Sequence, residues 1–331
     1  MTMKRSRLLA IAAACVLALA AAGAWLWVDG GKRAVTLARV EPKQCLDPAL
    51  DAGGPHPGMV WVPAGSFAMG DTVYAEEAPI REAKVDGFWI DRHDVTNDEF
   101  AAFVKATGYV TVAERPVDPA KHPELPLEML KPGAVVFVMP NSVDGSGDIS
   151  QWWQYIPGAN WRHPGGPQTS IEGHGAFPVV AVAYEDALAY ARWKGRTLPN
   201  EKQWEWAARG GDPRPTAMHD QPREANTWQG VFPVLNTGED GFVGLAPVGC
   251  FKPNGFGLYD MIGNAWQWTS DFYTARAGAT PDPKRRVIKG GSYLCAPNYC
   301  LRYRAGSRQG QESDLAASHL GFRTILEAAA P

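Results

Sequence analysis

The chain has 331 residues and a formal charge of −3, with no block of Lys and Arg beyond its N-terminus, which argues against a nucleic-acid-binding surface. That length allows one domain or two, and one is expected. The 35 Gly, 27 Pro and 13 Trp, in a chain with few long periodic runs, point to a loop-rich fold whose aromatic side chains supply much of the buried area, and to proteins or small molecules as partners.

Lys4, Arg5 and Arg7 precede an apolar run from Leu8 to Val28 that carries no charge. A helix needs about 20 apolar residues to cross a bilayer, so this run is long enough. Ala22 and Ala24 offer an A-x-A cleavage pattern, but Trp25, Leu26, Trp27 and Val28 carry the apolar stretch past the cut. Residues 1–28 therefore read as a transmembrane signal anchor in preference to a cleaved signal peptide. A lipoprotein reading through Cys15 is weaker, because the run continues beyond that cysteine. Each reading keeps the basic residues inside and places the remainder outside the cytoplasm, in the periplasm or on the outer face of the inner membrane. Residues 29–57 mix charges, Pro and Gly without periodicity and read as a linker; the folded domain is expected over 58–326.

Within the domain, residues 59–70 (MVWVPAGSFAMG) predict a short strand broken by Pro63, and residues 84–91 predict a second. Thr96 with Glu99 is a capping-box pattern, and Phe100, Phe103 and Val104 give one apolar helical face before Gly108 ends it. Residues 112–176 are rich in Pro, Gly and Trp with little periodicity. A disordered linker does not usually carry Trp152, Trp153, Tyr155 and Trp161, so the region is expected to be ordered and to line a surface. Two more helices are expected, one over 185–194 and one from Asn200, with Gln203 at its third position, to Gly210.

Setting Cys15 aside leaves Cys45, Cys250, Cys295 and Cys300. A C-x4-C pair alone fits a disulfide, half a zinc site or coincidence. Extended chain would send the side chains of Cys295 and Cys300 to opposite faces, but Ala296, Pro297 and Asn298 can supply a turn that joins them. Two convergent thiolates without a nearby His or second Cys pair make a poor zinc site and suit a soft, low-coordinate ion such as Cu(I). If a strand resumes at Cys300, Arg302 and Arg304 share its face and favour thiolate over thiol; the alternative is that both merely pair with surface carboxylates.

From Met59 to Arg323 the chain resembles the formylglycine-generating enzyme family, also called sulfatase-modifying factors. The markers are MVWVPAGSFAMG at 59–70, GANWRHPGGP at 158–167, FPVVAVAYEDALAYARWKGRTLPNEKQWEWAARGG at 177–211, ANTWQGVFPVLNTGEDGF at 225–242, NGFGLYDMIGNAWQWTSD at 254–271 and RVIKGGSYLCAPNYCLRYR at 286–304. The resemblance implies a loop-rich α+β fold related to C-type lectins. It further implies Cu(I) held by Cys295 and Cys300, O2 as co-substrate, and Ser292, Trp266 and Tyr299 beside the oxygen and substrate pocket. Each of the last three has a plainer alternative: Trp266 as core, Ser292 in a glycine turn, Tyr299 as packing. Two structural calcium sites carry over as well. One uses the side chains of Asn226 and Asp240 with the carbonyls of Thr227 and Phe242; the other uses Asp260 and Gln267 with the carbonyls of Gly263 and Ala265.

Several positions depart from the family pattern. Gln267 stands where a Glu is usual and Asp260 where an Asn is usual. Ala191, Ala208, Ala305 and Thr324 replace the paired cysteines of eukaryotic relatives. Cys45 and Cys250 are a candidate substitute bridge, with two free thiols as the competing reading. His319 replaces a common Asn near the catalytic groove, and Ala296 a common His beside the first cysteine. The expected activity is oxidation of the cysteine of a Cys-x-Pro-x-Arg motif in unfolded sulfatases to formylglycine, by a monomer tethered to the membrane. The alternatives are a same-fold oxidase acting on another thiol or peptide, and a non-catalytic, membrane-anchored binding protein with a Cys295–Cys300 disulfide.

Overall fold

Pro63 cannot donate to a strand ladder, and the apolar stretch that begins at Met59 divides there into β1 (Met59–Val62) and β2 (Gly65–Met69). The structure, a computed structural model, describes residues 45–46, 55–120, 123, 125–216 and 219–327. The expected signal anchor over 1–28 lies outside the described residues, as does most of the linker; among the described residues no helix is long and apolar enough to cross a membrane. Residues 42–331 form one compact unit.

The strand expected over 84–91 is two, β3 (Arg81–Val85) and β4 (Phe88–Asp91). They part at Gly87, which lies so close to the Trp61 ring that any side chain there would collide with it. β3 pairs with β2 as a hairpin, while β4 becomes the middle strand of an antiparallel sheet between β1 and β13 (Ile325–Leu326). The region at 112–176 is ordered, as expected. Its framework is the hairpin of β5 (Gly133–Phe137) and β6 (Trp153–Pro157), with Trp152 and Trp161 buried. A third hairpin, β7 (Gly230–Val231) with β8 (Leu235–Asn236), follows.

Local capping sets the helices. In α1 (Asn97–Thr107) Thr96 accepts from the Glu99 N–H, Glu99 accepts from the Thr96 N–H at 2.8 Å, and Gly108 closes the helix in a left-handed conformation. In α3 (Glu201–Arg209) Asn200 and Gln203 make the same exchange, each bond 2.9 Å, and Gly210 closes it. α2 (Tyr184–Trp193) begins one residue earlier than predicted and has only half a box: Ala183 has no side-chain acceptor, but Asp186 accepts from its N–H at 2.8 Å.

The largest sheet has strand order β11 (Gln309–Glu312), β10 (Asp282–Lys289), β9 (Trp266–Tyr273), β12 (Leu320–Gly321), with β12 parallel to β9 and the other pairs antiparallel. An aromatic core of Phe100, Phe103, Trp161, Tyr190, Trp268 and Phe322 joins α1 and α2 to this sheet, and both Cys295 and Cys300 belong to the same cluster. A second cluster around Trp204 and Trp206 of α3 fills the space against β1–β4. The last strand residue of β10 is therefore followed directly by the chain segment that carries the cysteines, laid against a rigid core.

Candidate active site

After β10 the chain turns through Gly290 and Gly291, both at positive φ. A Cβ at Gly291 would lie 2.8 Å from the Arg302 carbonyl and 3.2 Å from the Cys295 sulfur, so this position needs glycine for conformation and for space. The Cys295 N–H then donates to Ser292 O at 2.9 Å, and the N–H groups of Tyr299 and Cys300 both donate to Ala296 O at 3.1 and 3.0 Å. The turn that the sequence predicted through Ala296, Pro297 and Asn298 is present, and it carries the sulfurs of Cys295 and Cys300 into a disulfide contact with their Cα atoms 4.6 Å apart. Asn298 clamps it from outside, its Nδ2 donating to Phe232 O at 3.0 Å and its Oδ1 accepting from Phe232 N–H at 3.3 Å.

Both cysteines border a cavity of about 560 Å³ together with Ser292, Trp266 and Tyr299, so all five side chains expected at the catalytic centre meet in one place. The plainer roles hold as well. Trp266 is 2% exposed and packs in the aromatic core. Ser292 is buried in the glycine turn, where its Oγ accepts from Leu294 N–H at 3.3 Å. Tyr299 stacks on Phe232 at 4.0 Å between centroids, and its Oη accepts from Trp153 Nε1 at 3.1 Å. The facing wall comes from β6, β11 and the 315–319 segment, including Trp153, Tyr155, Gln309, Glu312 and His319.

The expected strand over Cys300–Arg304 does not form, and the two arginines part company. Arg302 lines the cavity, lies over the Tyr74 ring at 3.9 Å and pairs with Glu76 at 2.6 Å. Arg304 is buried between Asp71 and Glu77, accepting neither a surface partner nor a place beside the sulfurs. Carboxylates more than 220 residues upstream draw it away, a partnership that short-range periodicity does not contain.

His319, which the sequence flagged only as a departure from the family pattern, lines the cavity. Its carbonyl accepts from Trp266 N–H at 2.9 Å, and its half-buried ring rests on Trp153 with centroids 4.7 Å apart. Desolvation lowers its pKa from 6.5 to about 3, which keeps the imidazole neutral. Trp153 was visible only as one aromatic in an ordered loop.

Once reduced, the cysteine pair would offer two buried, convergent sulfurs in a largely apolar setting, a donor set that fits a soft monovalent metal. Among the described residues no group of three or more His, Cys, Asp or Glu is placed to hold a metal, which is the arrangement a tetrahedral zinc site would need. For calcium the two expected sites differ. Asp240 is buried and accepts from the N–H groups of Thr227 and Phe242 at 2.9 and 3.0 Å, so that loop is wrapped around a carboxylate; Asn226 spends its amide nitrogen on Gly244 O and on Asn264 Oδ1 and leaves its oxygen for other partners. That set fits a hard cation. Gln267 does not fit. Its Oε1 accepts from Trp204 Nε1 at 2.6 Å and from Arg323 Nε at 2.8 Å, and its Nε2 donates to Asp260 O at 3.0 Å. A cation at that oxygen would face a guanidinium, so Gln267 is corrected to a hydrogen-bonding hub; Gly263 and Ala265 are left as the backbone of its turn. Asp260 instead receives Gly249 N–H at 2.6 Å.

Cys45 and Cys250 are joined in a disulfide, the first of the two readings open for that pair.

Residues 47–328 match the model of the sulfatase-modifying factor enzyme 1-like domain. The chain belongs to that family. The sulfatase-modifying factor relatives include the formylglycine-generating enzyme of Mycobacterium tuberculosis, 48% identical over 291 residues that cover 81% of this chain and 97% of that protein. The formylglycine-generating enzyme of Bos taurus is 42% identical over 299 residues, covering 84% of this chain and 78% of that protein. Among solved structures, PvdO from Pseudomonas aeruginosa superposes with a TM-score of 0.54 at 24% identity, covering 86% of this chain and 98% of that one, a likeness of fold. The family's loop-rich mixed architecture with few helices is the one described above.

Proposed function

We propose that this protein oxidises the cysteine of a Cys-x-Pro-x-Arg motif in unfolded sulfatases to formylglycine, using copper and O2. The observation that carries the reading is the convergence of Cys295 and Cys300 beside Ser292, Trp266 and Tyr299 in one cavity, in a chain so close to formylglycine-generating enzymes over its length. In their reduced form Cys295 and Cys300 would hold Cu(I), which supplies the one-electron chemistry with O2 that side chains lack.

The remaining work falls to the protein. The Gly291 turn and the Asn298 clamp fix the spacing of the two sulfurs before substrate arrives, so little ordering cost is left for binding. Trp266, Trp153 and Tyr299 give the cavity aromatic walls that shed water from an entering thiol. Ser292 retains a hydroxyl hydrogen to donate toward a developing negative charge, because its bond in the turn, from Leu294 N–H, uses only its oxygen as an acceptor. The apolar N-terminal run would tether the domain outside the cytoplasm, where a sulfatase emerges unfolded, and calcium would stiffen the Asp240 loop.

The test is mass spectrometry of a Cys-x-Pro-x-Arg peptide incubated with the protein, copper and O2. Appearance of the aldehyde product supports the reading, and absence of conversion by copper-loaded protein overturns it. The disulfide contact itself favours a second reading, a non-catalytic binding protein in which Cys295 and Cys300 are only a cross-link. Titration of the reduced protein with Cu(I) separates the two, since one tight equivalent per chain belongs to the oxidase alone.

A further inference from the structure

The ring of His319 lies in the wall of the catalytic cavity, yet among the described residues neither of its nitrogens meets a hydrogen-bond partner. The two nitrogens are not equivalent. Nδ1 is sealed from solvent, and a sealed N–H without an acceptor is rarer in folded proteins than a sealed lone pair without a donor. In a neutral imidazole one nitrogen carries the proton and the other does not, so the proton belongs on Nε2. That leaves a single N–H as the group a molecule in the cavity can reach.

The donor is also held in place. The main chain of His319 is tied to Trp266 by the 2.9 Å bond from its N–H, the ring rests on Trp153, and Trp153 in turn holds Tyr299 through its own N–H. His319 is thus fixed to two of the five residues at the centre, Trp266 directly and Tyr299 through one indole. An extended peptide presents main-chain carbonyls at every residue, and a fixed donor in an aromatic-walled cavity is matched to one of them.

We propose that His319 is a substrate-positioning residue that donates from Nε2–H to a main-chain carbonyl of the peptide bound beside the reacting cysteine. The proposal rests on the peptide-oxidising reading given above. It is tested with two substitutions that separate donor from ring: His319→Asn keeps a donor and loses the ring, while His319→Phe keeps the ring on Trp153 and loses the donor. The probe is a fluorescent peptide with Ser in place of the motif cysteine, titrated by anisotropy, beside KM and kcat for the cysteine peptide. His319→Phe should weaken binding and raise KM by roughly 2- to 10-fold, the worth of one hydrogen bond, with kcat held and with His319→Asn near the wild type. Wild-type affinity in the Phe variant, or a larger loss in the Asn variant than in the Phe variant, overturns the proposal. Should the Phe variant melt early, His319→Leu makes the same comparison against His319→Asn. A wild-type protein that neither binds nor converts the peptide overturns the oxidase reading itself, a different result from equal binding by all variants.

Discussion

Asn298 and Phe232 exchange a pair of hydrogen bonds, amide to carbonyl at 3.0 Å and N–H to amide oxygen at 3.3 Å, across 66 residues of sequence. The bond pair holds the outside of the turn whose inside holds Cys295 and Cys300. Asn298→Ala removes both bonds and leaves two half-buried main-chain groups of Phe232 without their partner, at a cost of about 1–3 kcal/mol. Urea denaturation should show that loss, and Cu(I) affinity should fall with it because the sulfur spacing is no longer enforced.

Cys300→Ser replaces one soft donor by a hard one at a buried position of nearly the same volume. Tight Cu(I) binding and peptide turnover should both disappear while the far-ultraviolet circular dichroism stays that of the wild type. Retained turnover would contradict the role given to this residue.

Arg304 and Glu77 are both buried, and the guanidinium meets the carboxylate at 2.8 and 3.0 Å. Removing the guanidinium strands the buried carboxylates of Glu77 and Asp71, so Arg304→Ala should cost about 3–5 kcal/mol in chemical denaturation. Arg115 and Glu185 form a pair of similar length, 2.9 Å, with side chains 41% and 63% exposed. Glu185→Ala should therefore change stability by less than about 1 kcal/mol.

Burial of His319 lowers its pKa from 6.5 to about 3. The unfolded chain takes up this proton first as pH falls, so the contribution to stability is complete above about 6.5 and is lost between there and about 3. Denaturation curves at pH 7.5 and pH 4.5 should show a smaller acid loss in His319→Asn than in the wild type. An equal loss in both proteins would mean that the ring takes up its proton as readily in the folded chain as in the unfolded one.

Helices α1 and α3 were legible in the sequence because each is announced within four residues by its own cap, and the C-terminal glycines that end them are equally local. The turn at Ala296–Asn298 was legible for the same reason. What short-range pattern could not carry was partnership at long range. The strand over 84–91 divides because Gly87 meets Trp61, and Arg304 leaves the sulfurs because Asp71 and Glu77 wait for it. Gln267 looked like a displaced metal ligand until its neighbours Trp204 and Arg323 were in view. Cys295 and Cys300 were legible from their spacing and the turn between them, whereas Ser292, Trp266 and Tyr299 came from likeness to a family, and His319 stood out only as a departure from it.

The bond between Cys45 and Cys250 bears on how this protein would answer a pull. Tension arriving from upstream of Cys45 passes through a covalent link to Cys250 and enters the domain there, bypassing β1. Peeling β1 away from β4 by that route would first require the sulfur link to be reduced, so a reducing agent should turn a mechanically stubborn end into a yielding one.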